Sequence, residues 1–195
     1  MKKIILSLFY LITNVYMLSG QNEPKKLLAI FAHPDDEQSV APLLVKLVEE
    51  GVEVTLVIAT DGRLGVNEYN DNKAGDGLAN IRRKEMMCAA DILGVKLIHL
   101  DYHDQLRAAE GFDGHVPHAQ NLILELKNII DKVKPDAIIT WGPDGVTTHM
   151  DHRLVGASVT QVFVSQKWKN SMKLYFFGVP SDMLVSQKVK TLRGQ

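Results

Sequence analysis

Two unbroken apolar runs constrain the fold of this chain more than any other feature of its sequence. Leu27-Leu28-Ala29-Ile30-Phe31-Ala32 and Val54-Thr55-Leu56-Val57-Ile58-Ala59 show no regular alternation of polar and apolar residues. A strand of that kind has to be buried on both faces, which an α/β fold achieves by covering a parallel sheet with helices on each side. Leu97-Ile98-His99-Leu100, Ala137-Ile138-Ile139-Thr140-Trp141 and Leu174-Tyr175-Phe176-Phe177 supply three further strand candidates. Between them, Val40, Leu43, Leu44, Leu47 and Val48 fall on one helical face, as do Leu122, Ile123, Leu126, Ile129, Ile130 and Val133. Less regular helices are expected from about Asn80 to Leu93 and from Arg153 to Phe163. The order predicts a Rossmann-like three-layer α/β sandwich, with a mostly parallel sheet of about five strands joined by right-handed crossovers.

A length of 195 residues suits one domain, and no repeat or linker divides it. With 22 basic against 23 acidic residues the net charge is −1, so the chain has no basic field for nucleic acid or anionic lipid. Its single cysteine, Cys88, excludes an internal disulfide framework and any CxxC site, while seven histidines leave a nitrogen/oxygen metal site open. Flanked by Met86, Met87, Ala89 and Ala90, Cys88 reads as helix packing rather than a nucleophile.

Residues 1–20 stand apart. Lys2 and Lys3 precede an uncharged, mostly apolar stretch from Ile4 to Leu18, followed by Ser19-Gly20 and the polar Gln21-Asn22-Glu23-Pro24. That is the layout of a secretory signal peptide, with cleavage expected after Gly20. The stretch contains Ser7, Tyr10, Thr13, Asn14 and Tyr16 and falls short of the ~20 apolar residues of a spanning helix. Export to the periplasm or medium is therefore expected ahead of the alternative, an N-terminal membrane anchor. Loss of Lys2 and Lys3 takes the net charge from −1 to −3, and residues 21–195 remain as one domain without stable membrane insertion.

In a parallel sheet of this kind, ligands gather beyond the carboxyl ends of the strands. The segments following the strands carry His33-Pro34-Asp35-Asp36-Glu37, Thr60-Asp61-Gly62, Asp101-Tyr102-His103-Asp104, and Gly142-Pro143-Asp144-Gly145 leading to His149-Met150-Asp151-His152. Pro34 makes a tight exit from the first strand, so His33 and Asp36 can converge while Asp35 projects separately. An imidazole and a carboxylate are two of the three protein ligands of a catalytic zinc. The third must come from elsewhere, and His149-x-Asp151-His152, opening the helix after the fourth strand, can supply it and leave a second histidine nearby. Taken singly, Asp35, Asp36 and Glu37 would pass for acids at a helix start, and His152 for an exposed first-turn histidine.

Together these segments resemble the PIG-L/LmbE-like family of zinc-dependent deacetylases, whose signatures are Ala-His-Pro-Asp-Asp-Glu after the first strand and a later His-x-Asp-His. Ala32 to Glu37 matches the first without substitution and His149 to His152 matches the second. The likeness continues through Thr60-Asp61-Gly62, Arg82-x-x-Glu85 and Leu93-Gly94-Val95, covering roughly Lys26 to Tyr175. It implies one zinc per chain on His33, Asp36 and His152, with Asp35 as general base. It also implies that His149 stabilises the oxyanion or protonates the leaving amine, tuned by Asp151, and that Arg82 faces substrate, although Arg82 can equally pair with Glu85 on its own helix. Asp61 and Asp104 lie in rim loops where sugar hydroxyls could bind, with simple turn residues as the competing reading. His115-x-x-His118 lies in a Gly/Pro-containing stretch without a third ligand and reads as structural or exposed.

The implied reaction is removal of the N-acetyl group from a GlcNAc-containing substrate, a glycan or small molecule. Another N-acyl amide or an S-conjugate competes within the enzyme class. Outside it stands a metal-bearing carbohydrate-binding module without turnover, against which Asp35 and His149 argue because holding zinc requires neither. Members of the family usually continue into further elements, whereas this chain stops about twenty residues after the fifth strand candidate, and Met183 to Gln195 has little apolar periodicity. The expectation is either a minimal member with an open cleft or a domain truncated at its C-terminus.

Overall fold

A computed structural model describes residues 25–67, 69, 71–168 and 170–179. The expected signal peptide and the tail from Met183 lie outside these residues. Five strands, β1 (Lys26–Phe31), β2 (Glu53–Thr60), β3 (Lys96–Tyr102), β4 (Ala137–Trp141) and β5 (Lys173–Phe177), form one all-parallel sheet in the order β3-β2-β1-β4-β5. The apolar runs occupy its middle: Leu28, Ile30, Leu56, Ile58 and Ile138 are fully buried, each contributing about 1.5–3 kcal/mol relative to exposure. Four helices connect the strands, α1 (Ala41–Glu49), α2 (Asp76–Leu93), α3 (Phe112–Val133) and α4 (Met150–Ser165). Helix α1 packs on β2 and α2, whereas α3 packs on α4 and β1, and α4 on β4 and β1.

The strand order reverses beside β1. The chain runs outward through β2 and β3, then returns to place β4 on the other side of β1. That switch point opens a crevice beyond the carboxyl ends of β1 and β4, and the histidine-bearing segments follow those two strands. Gly156 fixes the α4 side of the crevice: a Cβ there would stand 2.4 Å from the Trp141 carbonyl oxygen. Only glycine lets the helix come this close to the end of β4.

Several boundaries differ from the sequence expectation. Helix α2 starts at Asp76, because Gly75 ends the preceding loop, and α4 spans Met150–Ser165. Helix α3 runs through the segment expected to be a loop, taking in Gly114 and Pro117; Pro117 has no N–H and forfeits one backbone hydrogen bond. His115 there bonds the Leu106 carbonyl through Nδ1 at 3.0 Å, and His118 lies edge-on to Tyr102. Cys88 is exposed on α2, so it does not pack the core.

Candidate active site

The turn after β1 is built by Asp36. Its Oδ2 accepts the N–H groups of Ala32 (2.9 Å) and His33 (2.8 Å), folding the loop back on the strand end. The same oxygen accepts Trp141 Nε1–H at 3.2 Å. With Oδ2 saturated, Oδ1 is the oxygen that faces His152 Nε2, 3.2 Å away. His33 Nδ1 stands 3.3 Å from that same Nε2 and 3.6 Å from Asp36 Oδ2. His33, Asp36 and His152 thus meet across the switch point, from segments 119 residues apart.

Each imidazole is oriented by its other nitrogen. His152 Nδ1 is 3.0 Å from the Gly145 carbonyl, which can only accept, so that nitrogen carries the proton and Nε2 presents its lone pair. Thr147 Oγ1 lies 3.0 Å from the same Nδ1. Gly145 holds φ +64°, and a Cβ on it would come within 2.8 Å of the His152 Cβ. Trp141 stacks on the His152 ring at 4.2 Å and 9°. His33 Nε2 donates to Asp151 Oδ2 at 3.0 Å, the carboxylate–histidine arrangement that fixes metal-ligand rings elsewhere in proteins.

Electrostatics within the trio are tightly balanced. Burial opposes a charge on His33, but hydrogen bonds to Asp151 and Asp36 outweigh it and raise its pKa to about 10. Burial also pushes Asp36 upward, yet hydrogen bonds from His152 and His33 hold it well below the usual carboxylate range. A divalent cation bound here would take the place of the extra proton on His33. Two ligand atoms at zinc–nitrogen distances in a tetrahedral site lie about 3.3 Å apart. The observed separations of His152 Nε2 from Asp36 Oδ1 (3.2 Å) and from His33 Nδ1 (3.3 Å) and the two-nitrogen, one-carboxylate donor set fit such an ion.

Two further groupings share His33. His149 gathers with His33 and His152, and Asp104 and Asp151 gather around His33 on the other side, each set with ligand atoms within 4.8 Å of one another. In the second grouping the Asp104 oxygens already accept Thr60 Oγ1–H (2.7 Å) and Leu64 N–H (2.8 Å), while one Asp151 oxygen holds His33 and Gln105 N–H (2.9 Å). Asp151 Oδ2 thereby orients His33, while Asp151 Oδ1 is buried without a hydrogen-bond partner among the described residues.

The remaining residues sort by their partners. Asp35 departs from the others, as expected: its side chain is 50% exposed at the cleft and its backbone is left-handed, φ 104°. Arg82 grips it, bonding the Asp35 carboxylate and the Pro34 carbonyl while pairing with Glu85 at 3.1 Å. His149 caps α4, its Nδ1 accepting Asp151 N–H at 3.2 Å, and its ring lies 4.7 Å from that of His33. Burial and the neighbouring His33 lower the His149 pKa.

Asp151 acts on both histidines: its carboxylate binds His33, its backbone amide donates to His149, and its charge opposes the lowering of the His149 pKa. One expectation requires correction. Asp61, 2% exposed, is consumed by the Arg63 guanidinium and amide and is no rim residue. Asp104, 4% exposed, does line the cleft, with one oxygen accepting from Thr60 and the other from Leu64 N–H. Trp141 was not expected among the site residues, although its place at the carboxyl end of β4 is the signal that would have singled it out.

His33, Asp36 and His152 line a cleft of about 360 Å³ together with Asp35, Arg82, Gln105 and His149. A larger hollow of about 780 Å³ opens at the opposite end of the strands, against Lys26, Glu53 and Lys96, and contains none of the trio.

Comparison with known proteins places this geometry in context. The sequence profile described as PIG-L, GlcNAc-PI de-N-acetylase, matches residues 28–163. The chain is similar to the 1D-myo-inositol 2-acetamido-2-deoxy-alpha-D-glucopyranoside deacetylase of Corynebacterium glutamicum, 30% identical over an alignment of 150 residues that covers 70% of this chain and 52% of that protein. The chain spans about half the length of that curated relative. Among solved structures, N,N'-diacetylchitobiose deacetylase from Pyrococcus horikoshii superposes with a TM-score of 0.61 at 27% identity, covering 85% of this chain and 68% of the other. The 4-carboxy-2-hydroxymuconate hydratase from Pseudomonas putida superposes with a TM-score of 0.60 at 19% identity, covering 80% and 63%. The last likeness concerns the fold alone, and one fold serves many chemistries.

Proposed function

The chain belongs to the PIG-L, or GlcNAc-PI de-N-acetylase, family, and from that premise we propose that it is a zinc-dependent hydrolase removing the N-acetyl group from a GlcNAc-containing substrate. The observation that carries the reading is the convergence of His33 Nδ1, Asp36 Oδ1 and His152 Nε2 beside a carboxylate, Asp35, that is not among them. A zinc ion bound to the trio would supply Lewis acidity and a more acidic water. Asp35 is suited to take the proton of a water attacking the amide carbonyl, since Arg82 holds its carboxylate at the cleft. His149 is fixed as the tautomer with Nε2–H, because Nδ1 accepts Asp151 N–H. It can therefore donate to the oxygen that gains charge as the carbonyl is attacked, before the carbon–nitrogen bond breaks and the proton taken by Asp35 passes to the nitrogen, giving acetate and an amine.

Acetate release from a panel of N-acetylglucosamine conjugates tests the proposal. Release that stops on chelation and returns with zinc is expected. Sugar binding with no acetate from any conjugate would support the binding module instead. Residues 1–20 are proposed as an export signal on their charge and hydropathy layout, and N-terminal sequencing of secreted material should begin at Gln21. Met1 retained in a membrane fraction would replace export with anchoring.

A further inference from the structure

Three consecutive residues at the cleft edge share a backbone conformation that L-residues avoid. Gln105 (φ 59°, ψ 15°), Leu106 (φ 44°, ψ 43°) and Arg107 (φ 58°, ψ 29°) are all left-handed, and none is glycine, asparagine or aspartate. Strain of this kind persists only where the surroundings over-determine it, and it concentrates at functional sites. The anchors are visible. Gln105 N–H donates to Asp151 Oδ2, the oxygen that also holds His33. Leu106 is 1% exposed, its N–H bonds the His103 carbonyl at 2.9 Å, and its carbonyl accepts from His115.

Those anchors account for the turn but not for a glutamine in it. Every bond of residue 105 to the frame is made by its backbone, which glycine would offer with less strain. The Gln105 side chain is exposed, lines the cleft together with His33, Asp35 and His149, and has no hydrogen-bond partner among the described residues. The acids, Arg82 and the histidines around it are charged or engaged, and the other carboxamide of the cleft, Asn67, spends its Oδ1 on the Tyr69 N–H. A neutral carboxamide, donor and acceptor at once, is matched to a hydroxyl group.

We propose that Gln105 is a specificity-determining residue whose carboxamide hydrogen-bonds a ring hydroxyl of the acylamino sugar, held over the cleft by the left-handed turn. The inference rests on the deacetylase reading for its substrate class. The test compares zinc-loaded wild type with Gln105→Gly and Gln105→Leu, using methyl 2-acetamido-2-deoxyglucopyranoside and its monodeoxy analogues. Calorimetric Kd, KM and kcat are measured alongside the thermal midpoint.

Both variants should raise Kd and KM about tenfold, the loss of roughly one hydrogen bond, with kcat within about twofold of wild type. Gln105→Gly should melt at or above the wild-type temperature, because the strain is relieved while the backbone bonds remain. One deoxy analogue should bind wild type and variants equally well, which a merely structural residue would not produce. Unchanged Kd and KM in both variants, or an equal variant defect on every analogue, would overturn the assignment. Wild type that binds the sugar but releases no acetate would refute the deacetylase reading, while the Kd comparison would still decide the role of Gln105. Wild type that neither binds nor cleaves the sugars would overturn both.

Discussion

Replacing Trp141 by phenylalanine should weaken metal binding without dismantling the site. The indole donates Nε1–H to Asp36 Oδ2 at 3.2 Å and stacks on His152 at 4.2 Å, so one side chain holds two of the three proposed ligands. Phenylalanine removes only the donor. Hydrogen bonds to charged groups are worth about 1.5–3 kcal/mol, but this one is long, and Ala32 and His33 still serve the same oxygen. The lower end, about 1.5 kcal/mol, corresponds to roughly a tenfold loss of zinc affinity. Trp141→Leu also removes the ring contact, worth about 0.5–1.5 kcal/mol, and should approach a hundredfold loss, the upper range for residues that orient metal ligands. Competition titration against a chromogenic chelator measures both constants, and thermal melting of the metal-free variants separates loss of fold from loss of affinity. Zinc affinity within twofold of wild type in both variants would refute the argument that Trp141 positions the ligands.

Further outcomes follow from the same contacts. Asp151→Asn removes the charged acceptor that orients His33, so zinc affinity should fall about 10- to 100-fold in the same titration; an unchanged constant would return Asp151 to a role elsewhere. Gly156→Ala sets a Cβ against the Trp141 carbonyl and should cost about 1–3 kcal/mol in urea unfolding, whereas wild-type stability would mean that α4 can withdraw from β4 freely. His149→Ala should retain zinc and lose turnover through the missing donor, as read from metal content and initial rates; loss of the metal instead would place His149 among the ligands.

How much of this could be read in advance depended on whether the deciding interaction was local. The two-sided apolar strands declared themselves because burial on both faces leaves a pattern in sequence, and five strands in a parallel sheet followed. The approach of His33 to Asp36 was legible in the compact motif after β1, whereas the choice of His152 over His149 as their companion came from the family resemblance. The Gly/Pro signals of 111–118 concealed the start of α3, where tertiary packing overrides local preference. Asp61 was misplaced at the rim even though its partner Arg63 lies only two residues on, because its burial is set by the fold, as are the contacts of Asp104 with Thr60 and Leu64. Asp151 lies two positions from His149 in sequence, yet its carboxylate reaches His33, 118 residues away. Trp141 looked like any strand residue, and the left-handed turn at Gln105 has no glycine to announce it.

Paired determination of zinc content and acetate release in His152→Ala and Asp35→Asn tests the central claim most directly. His152→Ala should lose both the metal and activity. Asp35→Asn should keep one zinc per chain and fall by the ~10² to 10⁴ in turnover attributed to general-base assistance. One zinc per chain retained by His152→Ala, or wild-type acetate release by Asp35→Asn, would contradict the division of ligand and base on which the account depends.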